Sequence, residues 1–239
     1  MKIALIGYGK MGQAIEELAL AKGHTVDLII DIQNREEAFT ESNLKNIDVA
    51  IEFTSPHSAV ENIKRCLKYG VPVVSGSTGW TDKWEEVINY CKEMNGSFLW
   101  ASNFSIGVNI FFELNKYLAK MMNDKAGYNV VLEEIHHTQK KDTPSGTAIT
   151  LAEGVLQNNE IKKSWINEST NDDSLLSIIS KRIDPTPGTH LVKYFSEIDE
   201  IEIIHTAHNR KGFASGALLA AEFIYDKKGV FSMKDVLNL

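Results

Sequence analysis

The sequence is poor in the features that mark secreted, membrane-spanning and polyanion-binding proteins. It has only two cysteines, Cys66 and Cys91, which lie in predicted helices without metal-type spacing, so we expect both to be reduced packing residues. No apolar run approaches the ~18 residues of a membrane span, and the first run, of about five residues, is too short for a signal peptide. No long block of Lys and Arg occurs, and the net charge of −7 excludes broad binding to nucleic acid or anionic membranes. We therefore expect a cytoplasmic globular protein.

The first hundred residues contain a regular alternation of strand and helix patterns. Apolar runs predict strands at residues 2–6, 25–30, 48–53, 71–76 and 97–102, and amphipathic spacing predicts helices at 56–69 and 82–93. Strands that alternate with helices form parallel, doubly wound sheets. Ligands of such sheets bind at the carboxyl ends of the strands.

A glycine-rich loop follows the first predicted strand. Gly7, Gly9 and Gly12 in GYGKMG allow a tight turn, a close approach to a pyrophosphate and close packing of helix on strand. Asp31 ends the second strand about 20 residues later, where an acid can accept hydrogen bonds from a ribose diol. The pattern predicts a dinucleotide site. Loops at 53–55, 76–79 and 101–104 carry small and hydroxyl residues that suit a cofactor, although such residues are also ordinary turn formers.

The second half has a different organisation. After Asn103 the sequence predicts a helix at about 108–122, strands at 129–137, 175–182, 190–196 and 200–208, and a final helix at 212–225. The predicted fold is α/β, with an N-terminal Rossmann-type doubly wound parallel sheet and a smaller α+β domain with an open mixed or antiparallel sheet. We expect residues 1–105 and 211–239 to form the dinucleotide-binding domain. Residues 106–210 are expected to form a substrate-binding and oligomerisation domain.

The stretch HHTQKKDTPSGT, residues 136–147, gathers cations in an acidic chain. Such crowding is costly unless an anion lies among the cations, and the helix predicted after Pro144 offers its first N–H groups to a carboxylate. Adjacent His136 and His137 in an extended segment point to opposite faces, so one of them can readily line a given pocket. The pattern predicts a site for a small dicarboxylate. Its spacing does not favour a metal site, and an exposed basic loop is the simpler alternative.

Six motifs together resemble bacterial dihydrodipicolinate reductases, also named 4-hydroxy-tetrahydrodipicolinate reductases, over nearly the whole chain. They are GYGKMG, DVAIEFTSP, SGSTG, ASNFSIGVN, EEIHHTQKKDTPSGTA and FASGA. The resemblance implies reduction of 4-hydroxy-tetrahydrodipicolinate to tetrahydrodipicolinate in lysine and diaminopimelate synthesis, with NADH or NADPH. It also implies a homotetramer assembled through the sheet of the second domain.

The resemblance also implies roles for individual residues. His136 matches the acid/base histidine and Lys140 the lysine regarded as a proton donor, while His137 matches a substrate contact. Gly146 and Thr147 match residues that hold a substrate carboxylate. The implied cofactor contacts are Gly7, Tyr8, Gly9, Lys10, Met11, Gly12, Asp31, Gly76, Ser77, Thr78, Ala101, Ser102, Asn103 and Phe104.

The sequence departs from the family pattern in its cofactor half. The glycine loop is one residue shorter than usual, and Lys10 stands where the family often has arginine. No basic residue directly follows Asp31 to receive a 2′-phosphate. We therefore expect NADH to be preferred, with NADPH still used through Lys10 or Arg35.

Two other functions share the nucleotide half. One is a different two-domain amino-acid dehydrogenase, of the aspartate or diaminopimelate type, and the other is a redox sensor that binds dinucleotide without turnover. Neither needs the clustered histidines and lysine. The sequence leaves open the roles of several further cations: Arg182, Arg210, His190, His205 and His208.

Overall fold

The structure is a computed structural model of the 239-residue chain, and it describes residues 1–209 and 211–239. The chain forms two compact units, the first of Met1–Ile106 with Lys211–Leu239 and the second of Gly107–Arg210. The boundaries expected from the sequence lie within one residue of this division. Arg210, whose role the sequence left open, lies outside the described residues.

Strands and helices alternate in the first half of the chain, and strands predominate later. The strands are β1 (Lys2–Ile6), β2 (Thr25–Ile30), β3 (Val49–Glu52), β4 (Val73–Ser75), β5 (Ser97–Trp100), β6 (Asn129–His136), β7 (Ser164–Ile166), β8 (Leu175–Arg182), β9 (Gly188–Phe195), β10 (Glu200–Ala207) and β11 (Gly229–Phe231). The helices are α1 (Lys10–Ala21), α2 (Arg35–Ala38), α3 (Glu41–Leu44), α4 (Pro56–Lys68), α5 (Trp84–Glu93), α6 (Ile106–Met122), α7 (Gly146–Leu156), α8 (Lys211–Ile224) and α9 (Met233–Leu237), with a short 3₁₀ turn at Thr81–Lys83 before α5.

The first unit contains a parallel sheet with the strand order β11-β5-β4-β3-β1-β2, which confirms the predicted doubly wound architecture. Alternate residues of β1 face opposite sides of the sheet: Ile3 and Leu5 pack with α1 and α8, and Ala4 and Ile6 pack with α4 and α5. Both faces are therefore covered, which explains the unbroken apolar runs of these strands. The sequence did not predict β11, which has only three residues.

The second unit contains an open mixed sheet with the strand order β10-β9-β6-β8-β7, also as predicted. β6 runs antiparallel to β9 and parallel to β8. Residues of α6 and α7 share one core with alternate residues of β6, β8 and β9. In β6 the buried positions are Val130, Leu132, Glu134 and His136, so a carboxylate and an imidazole occupy the core-facing side of the strand.

Helices of the described chain, residues 1–209 and 211–239, include none with the length and apolarity needed to span a membrane.

Candidate active site

A cleft of about 570 Å³ opens in the first unit where β1, β2 and β3 end. Gly7, Tyr8, Gly9 and Asp31, all predicted cofactor contacts, are among the residues that line it. The cleft is of the size typical of small-molecule sites. It also lies at the carboxyl ends of parallel strands, where doubly wound sheets bind nucleotides.

The backbone of the glycine loop fits a dinucleotide. Gly7 has a φ of 90°, and a Cβ atom on it would lie 2.1 Å from the carbonyl oxygen of Phe53. A Cβ on Gly12 would lie 2.4 Å from the carbonyl oxygen of Gly7, so neither position accepts a side chain. Gly9 caps α1 without a side-chain hydrogen bond and faces open space, which leaves the helix start accessible to a phosphate.

Asp31 and Arg35 lie together on the wall of this cleft. Asp31 is exposed, and its Oδ1 accepts a hydrogen bond from the N–H of Ile32 at 2.8 Å. The Arg35 Nη2 lies 2.7 Å from a carboxylate oxygen of Glu61, and its Nε donates to Asn62 Oδ1 at 3.2 Å. Arg35 is therefore held by neighbours on α4, and its guanidinium beside Glu61 lowers the pKa of the Glu61 carboxyl.

The other predicted cofactor residues lie mostly beyond the lining of the cleft. Lys10, Thr78 and Ser102 are exposed, whereas the side chains of Met11, Ala101 and Phe104 pack in the core of the first unit. Asn103 Oδ1 accepts the N–H of Ser105 at 2.9 Å. A Cβ on Gly76 would lie 2.1 Å from the Phe53 ring. The buried members of this set thus shape loops and can offer a ligand only their backbone.

A buried carboxylate, which the sequence did not reveal, holds two of these loops. Glu52 ends β3 and is fully buried. It accepts hydrogen bonds from Ser75 Oγ at 2.6 Å, from Ser77 Oγ at 2.9 Å, and from the N–H of Thr54 at 3.1 Å. Because Ser77 and Thr54 belong to different loops, Glu52 fixes the two loops to each other.

The second unit brings the predicted catalytic histidine to the end of β6. His136 is 7% exposed, and His137 is half-buried on the opposite face, as strand alternation requires. The Nδ1 of His136 lies 3.3 Å from a Glu134 oxygen, in contact but without the alignment of a hydrogen bond. A Cβ on Gly188 would lie 3.1 Å from Nε2, so a side chain at that position would crowd the ring.

Lys140 lies in the loop after β6 and is paired within that loop. Its Nζ donates to both carboxylate oxygens of Asp142, at 2.9 and 2.8 Å. Partial burial would raise the pKa of the Asp142 carboxyl, and the two hydrogen bonds outweigh it and hold this pKa below its usual value. Burial is the main cause of the low pKa of His190, and the charge of Lys140 makes a small further contribution, so the lysine lies within electrostatic range of His190.

The predicted carboxylate-binding residues begin α7. Ser145 is the N-cap, and its Oγ accepts the N–H of Ala148 at 3.2 Å. Gly146, the first helical residue, is exposed, and a Cβ on it would meet no atom within 4 Å. Thr147 follows and is half-buried. N–H groups in the first turn of a helix have no intrahelical carbonyl, so this exposed start suits an anion.

Glu134, His136 and His190 form a buried cluster. Burial, with a further contribution from His136, lowers the pKa of His190 to about 3, so its ring is neutral at pH 7. Burial would raise the pKa of Glu134, but His136 and hydrogen bonds from Ser145 and Ser180 outweigh it and hold this pKa well below the usual range. Glu134 is therefore an anion.

The same three residues present ligand atoms within 4.8 Å of one another, close enough to hold a metal ion. The sequence argument assigned no metal ligand here. In the structure the Glu134 carboxylate already faces the Arg182 guanidinium at 3.4 Å and accepts the N–H of Ser145 at 3.1 Å. A second cation would be repelled by that guanidinium, so the geometry favours a hydrogen-bonded network.

The sequence missed Glu134 and Gly188 as parts of this site and left His190 and Arg182 undecided. Strand alternation could have found Glu134, since it lies two residues before His136 on the same face. His190 and Gly188 come from β9, and only the pairing of strands brings them to His136. His205 lies against Phe111, with ring centroids 6.0 Å apart, and is not part of the cluster.

Comparison with known proteins identifies both halves of the chain. Residues 1–104 match the family model for the N-terminus of dihydrodipicolinate reductase, and residues 107–237 match the model for its C-terminus. The 4-hydroxy-tetrahydrodipicolinate reductase of Christiangramia forsetii is 50% identical over 240 residues, covering 100% of this chain and 98% of that protein. The same enzyme of Thermosipho africanus is 36% identical over 242 residues, with the same coverage.

Solved structures give the same result for the fold. The dipicolinate-bound dihydrodipicolinate reductase of Paenisporosarcina sp. TG-14 superposes with a TM-score of 0.78 at 23% identity, covering 97% of each chain. An aspartate dehydrogenase of Thermotoga maritima reaches a TM-score of 0.51 at 14% identity, covering 97% of this chain and 99% of that one. Both likenesses concern the fold alone. The sequence matches identify the family, because they cover the whole chain, including the segment from His136 to Thr147. The chain belongs to the dihydrodipicolinate reductase family.

Proposed function

We propose that the first unit of this reductase binds a nicotinamide dinucleotide and that the second unit binds the substrate and delivers a proton to it. As a member of its family, the chain is an oxidoreductase that reduces 4-hydroxy-tetrahydrodipicolinate to tetrahydrodipicolinate, a step in lysine and diaminopimelate synthesis. The Paenisporosarcina enzyme is described with bound dipicolinate, a planar dicarboxylate. That ligand supports a small dicarboxylate as the substrate class here.

One observation carries the substrate half of the proposal: His136, the Lys140 loop and the start of α7 lie around one buried network at the end of β6. We assign a substrate carboxylate to the backbone N–H groups of Gly146 and Thr147, with His137 as a further contact. Lys140 pairs with Asp142 in the structure, and we propose that a substrate carboxylate replaces Asp142 as its partner. A buried dianion without such partners would cost several kcal/mol.

The residues of the second unit also account for the proton. When bound, the nicotinamide cofactor supplies the hydride. Reduction of a ring carbon conjugated to an imine leaves an enamine-like anion on the substrate, and a cationic group beside it can stabilise the charge and deliver the proton. We assign His136 as the acid/base group and Lys140 as the proton donor.

The test is oxidation of NADH with freshly generated substrate, comparing Lys140→Ala with Lys141→Ala. Lys141 is the exposed neighbour and has no assigned role, so it is the matched control. We expect Lys140→Ala and His136→Gln to lower kcat by about 10²- to 10⁴-fold while dinucleotide affinity persists, and Lys141→Ala to stay within about twofold of the original chain. Wild-type turnover in Lys140→Ala would contradict the assignment. A chain that binds dinucleotide without any turnover would be a sensor.

For the cofactor we propose binding in the glycine-loop cleft and a preference for NADH. Asp31 at the end of β2 suits a ribose diol, and the guanidinium of Arg35 is already paired with Glu61. The ratio of kcat/KM for the two cofactors measures the preference. A tenfold or greater preference for NADPH would contradict it.

For assembly we propose a homotetramer formed through the outer face of the second unit's sheet. Cross-strand neighbours on that face form a row of Ile204, Leu191, Glu133 and Ile179, which is apolar except for the glutamate. Ile204, on the edge strand β10, is 55% exposed. A second sheet packed on this face would bury the row. We also place the enzyme in the cytoplasm, where reduced nicotinamide cofactors are produced.

A further inference from the structure

Glu134 is a carboxylate with no access to solvent. It lies on β6 two residues before His136, on the same core-facing side, and its exposed fraction is 0%. A substrate therefore cannot touch it in this conformation. Burial of an anion costs several kcal/mol unless donors compensate, so its position needs an explanation in terms of its partners.

The hydrogen-bond donors to Glu134 come from two elements, the start of α7 and β8. The N–H of Ser145 donates to both carboxylate oxygens, at 3.1 and 3.2 Å. Ser180 Oγ on β8 donates at 2.7 Å, and Nη2 of Arg182, also on β8, donates at 3.4 Å. Arg182 donates from the same nitrogen to the carbonyl oxygen of Asp142 at 2.8 Å. Glu134 thus joins β6 and β8 to the start of α7, and Arg182 extends the network to the Lys140 loop.

The same carboxylate also contacts both histidines of the cluster. One of its oxygens lies 3.3 Å from His136 Nδ1 and 3.7 Å from His190 Nε2. The two rings meet edge to face with centroids 5.0 Å apart, and His190 Nε2 lies 3.1 Å from Ser145 Oγ. Glu134 and His190 therefore each contact both the imidazole of His136 and Ser145, the cap of α7.

We propose that Glu134 is a positioning residue, which holds the His136 ring and the start of α7 in one fixed arrangement. This inference rests on the proposed function, in which His136 handles the proton and the start of α7 binds a substrate carboxylate. Removal of the carboxylate releases both groups at once. The two kinetic parameters, kcat and the KM for substrate, should therefore change together.

The test compares Glu134→Gln and Glu134→Asp with Ser177→Ala. Gln keeps the size but replaces one of the two oxygens that accept hydrogen bonds with an NH₂ group, which can only donate. Asp keeps the charge but is one methylene too short to reach every partner. Ser177→Ala makes the same kind of small change on β8, but the Ser177 Oγ accepts the N–H of Thr170 at 3.1 Å and has no part in the Glu134 network. It is therefore the matched control.

We expect Glu134→Gln to lower kcat by about 10- to 100-fold and to raise the KM for substrate by about tenfold. Glu134→Asp should recover part of both losses, and Ser177→Ala should stay within about twofold of the original chain. Dipicolinate, measured as a competitive inhibitor, should bind more weakly to Glu134→Gln by a similar factor. NADH affinity should not change, because the cofactor cleft is built from the first unit.

Two results would overturn the inference. One is a folded Glu134→Gln enzyme with kcat and KM within twofold of the original chain. The other is a loss of kcat that only tracks the fraction of folded protein, with unchanged KM and unchanged dipicolinate affinity, which would show a merely structural role. If Glu134→Gln does not fold, the same comparison is made with Glu134→Asp. Failure of the proposed function is separate, because the unsubstituted chain would then lack the reductase activity.

Discussion

At the scale of single residues, the two units share one device, a fully buried glutamate on a strand close to its end. Glu52 ties two loops of the cofactor half, and Glu134 ties a helix start to two strands of the substrate half. Neither side chain reaches solvent. A buried carboxylate accepts several hydrogen bonds in fixed directions, so it can orient backbone segments that an apolar side chain would leave free.

The ion pair between Arg35 and Glu61 leads to a prediction about the choice between NADH and NADPH. The guanidinium of Arg35 lies on the wall of the cleft, 2.7 Å from Glu61, and Glu61 also pairs with Arg65 at 2.9 Å. Glu61→Gln removes the charge that holds Arg35, so the guanidinium becomes available to a 2′-phosphate. We expect kcat/KM for NADPH to rise by about three- to tenfold, with kcat/KM for NADH changed less than twofold.

The control for Glu61→Gln is Glu86→Gln. Glu86 lies on α5 and pairs with Lys64, at a similar exposure and away from Arg35. Glu86→Gln should leave kcat/KM for NADPH and for NADH unchanged. An unchanged NADPH/NADH ratio in Glu61→Gln would show that Arg35 does not reach the phosphate.

His190 provides a prediction about pH. Its pKa is lowered from 6.5 to about 3 by burial, followed by His136, so the folded chain binds fewer protons here than the unfolded chain between these values. Stability from this group is complete above pH 6.5 and falls as the pH decreases toward 3. We expect the free energy of unfolding to fall by about 2 kcal/mol between pH 6.5 and pH 4.5 through His190 alone.

Urea unfolding at a series of pH values measures the slope of the free energy of unfolding against pH. His190→Gln, which has no proton to gain, should flatten the dependence in this interval. The same substitution at the exposed His208 is the matched control and should leave the slope as it is. An identical slope in His190→Gln would assign the acid sensitivity of this interval to other groups. The carboxyl of Glu134 acts outside the interval, because its pKa is lowered from 4.5 and its contribution to stability is lost only below that pH.

At the scale of elements, α8 shows how a helix from the chain end completes the first unit. It packs on α1 and on β3, and most of its buried residues are small, among them Ala214, Gly216 and Ala217. A Cβ on Gly216 would lie 1.8 Å from the carbonyl oxygen of Phe104, the last residue of a predicted cofactor loop. The sequence FASGA is thus a packing surface, in which the missing side chain sets the distance between helix and loop.

Gly216→Ala should therefore push α8 away from that loop. We expect a loss of roughly 2–3 kcal/mol in the free energy of unfolding, because the clash is with backbone and cannot be relieved by a rotamer change. Weaker NADH binding should accompany it. Gly212→Ala on the same helix is the control, since the nearest atom to its Cβ is Ser105 Oγ at 3.8 Å. Equal stability of the two variants would contradict the packing argument.

At the scale of the whole molecule, the proposed homotetramer would form through the face of the second unit's sheet that α6 and α7 leave uncovered. Ile204→Glu places a charge in the apolar row with Leu191 and Ile179. We expect the tetramer to dissociate, because a charge buried without a partner costs several kcal/mol at each copy of the interface. Sedimentation velocity measures the change in mass.

Leu20→Glu is the matched control for this prediction. Leu20 on α1 is 55% exposed, as Ile204 is, but it belongs to the first unit. It should leave the assembly intact. A tetramer that persists in Ile204→Glu would place the interface elsewhere.

The sequence alone determined the elements with strong local signals and the family. Apolar runs and glycine spacing predicted β1, β2 and β8 with their observed bounds, and the segment from His136 to Thr147 identified the reductase. Local patterns suffice there because strand alternation and turn chemistry act between near neighbours. The strands β7 and β11, of three residues each, were missed, because neither lies in a longer apolar run and both are stabilised by the strands beside them. The equally short β4 was found because it lies within the apolar run at 71–76.

Only the tertiary structure decided what surrounds the predicted catalytic groups. The sequence placed His136 and Lys140 in one segment, but the second imidazole and the guanidinium near them come from β9 and β8, which pair with β6 from distant parts of the chain. The same holds for Arg35, whose availability to a phosphate depends on Glu61 of another helix. Burial and electrostatic pairing are properties of neighbours in space, and the sequence specifies those neighbours only through the complete fold.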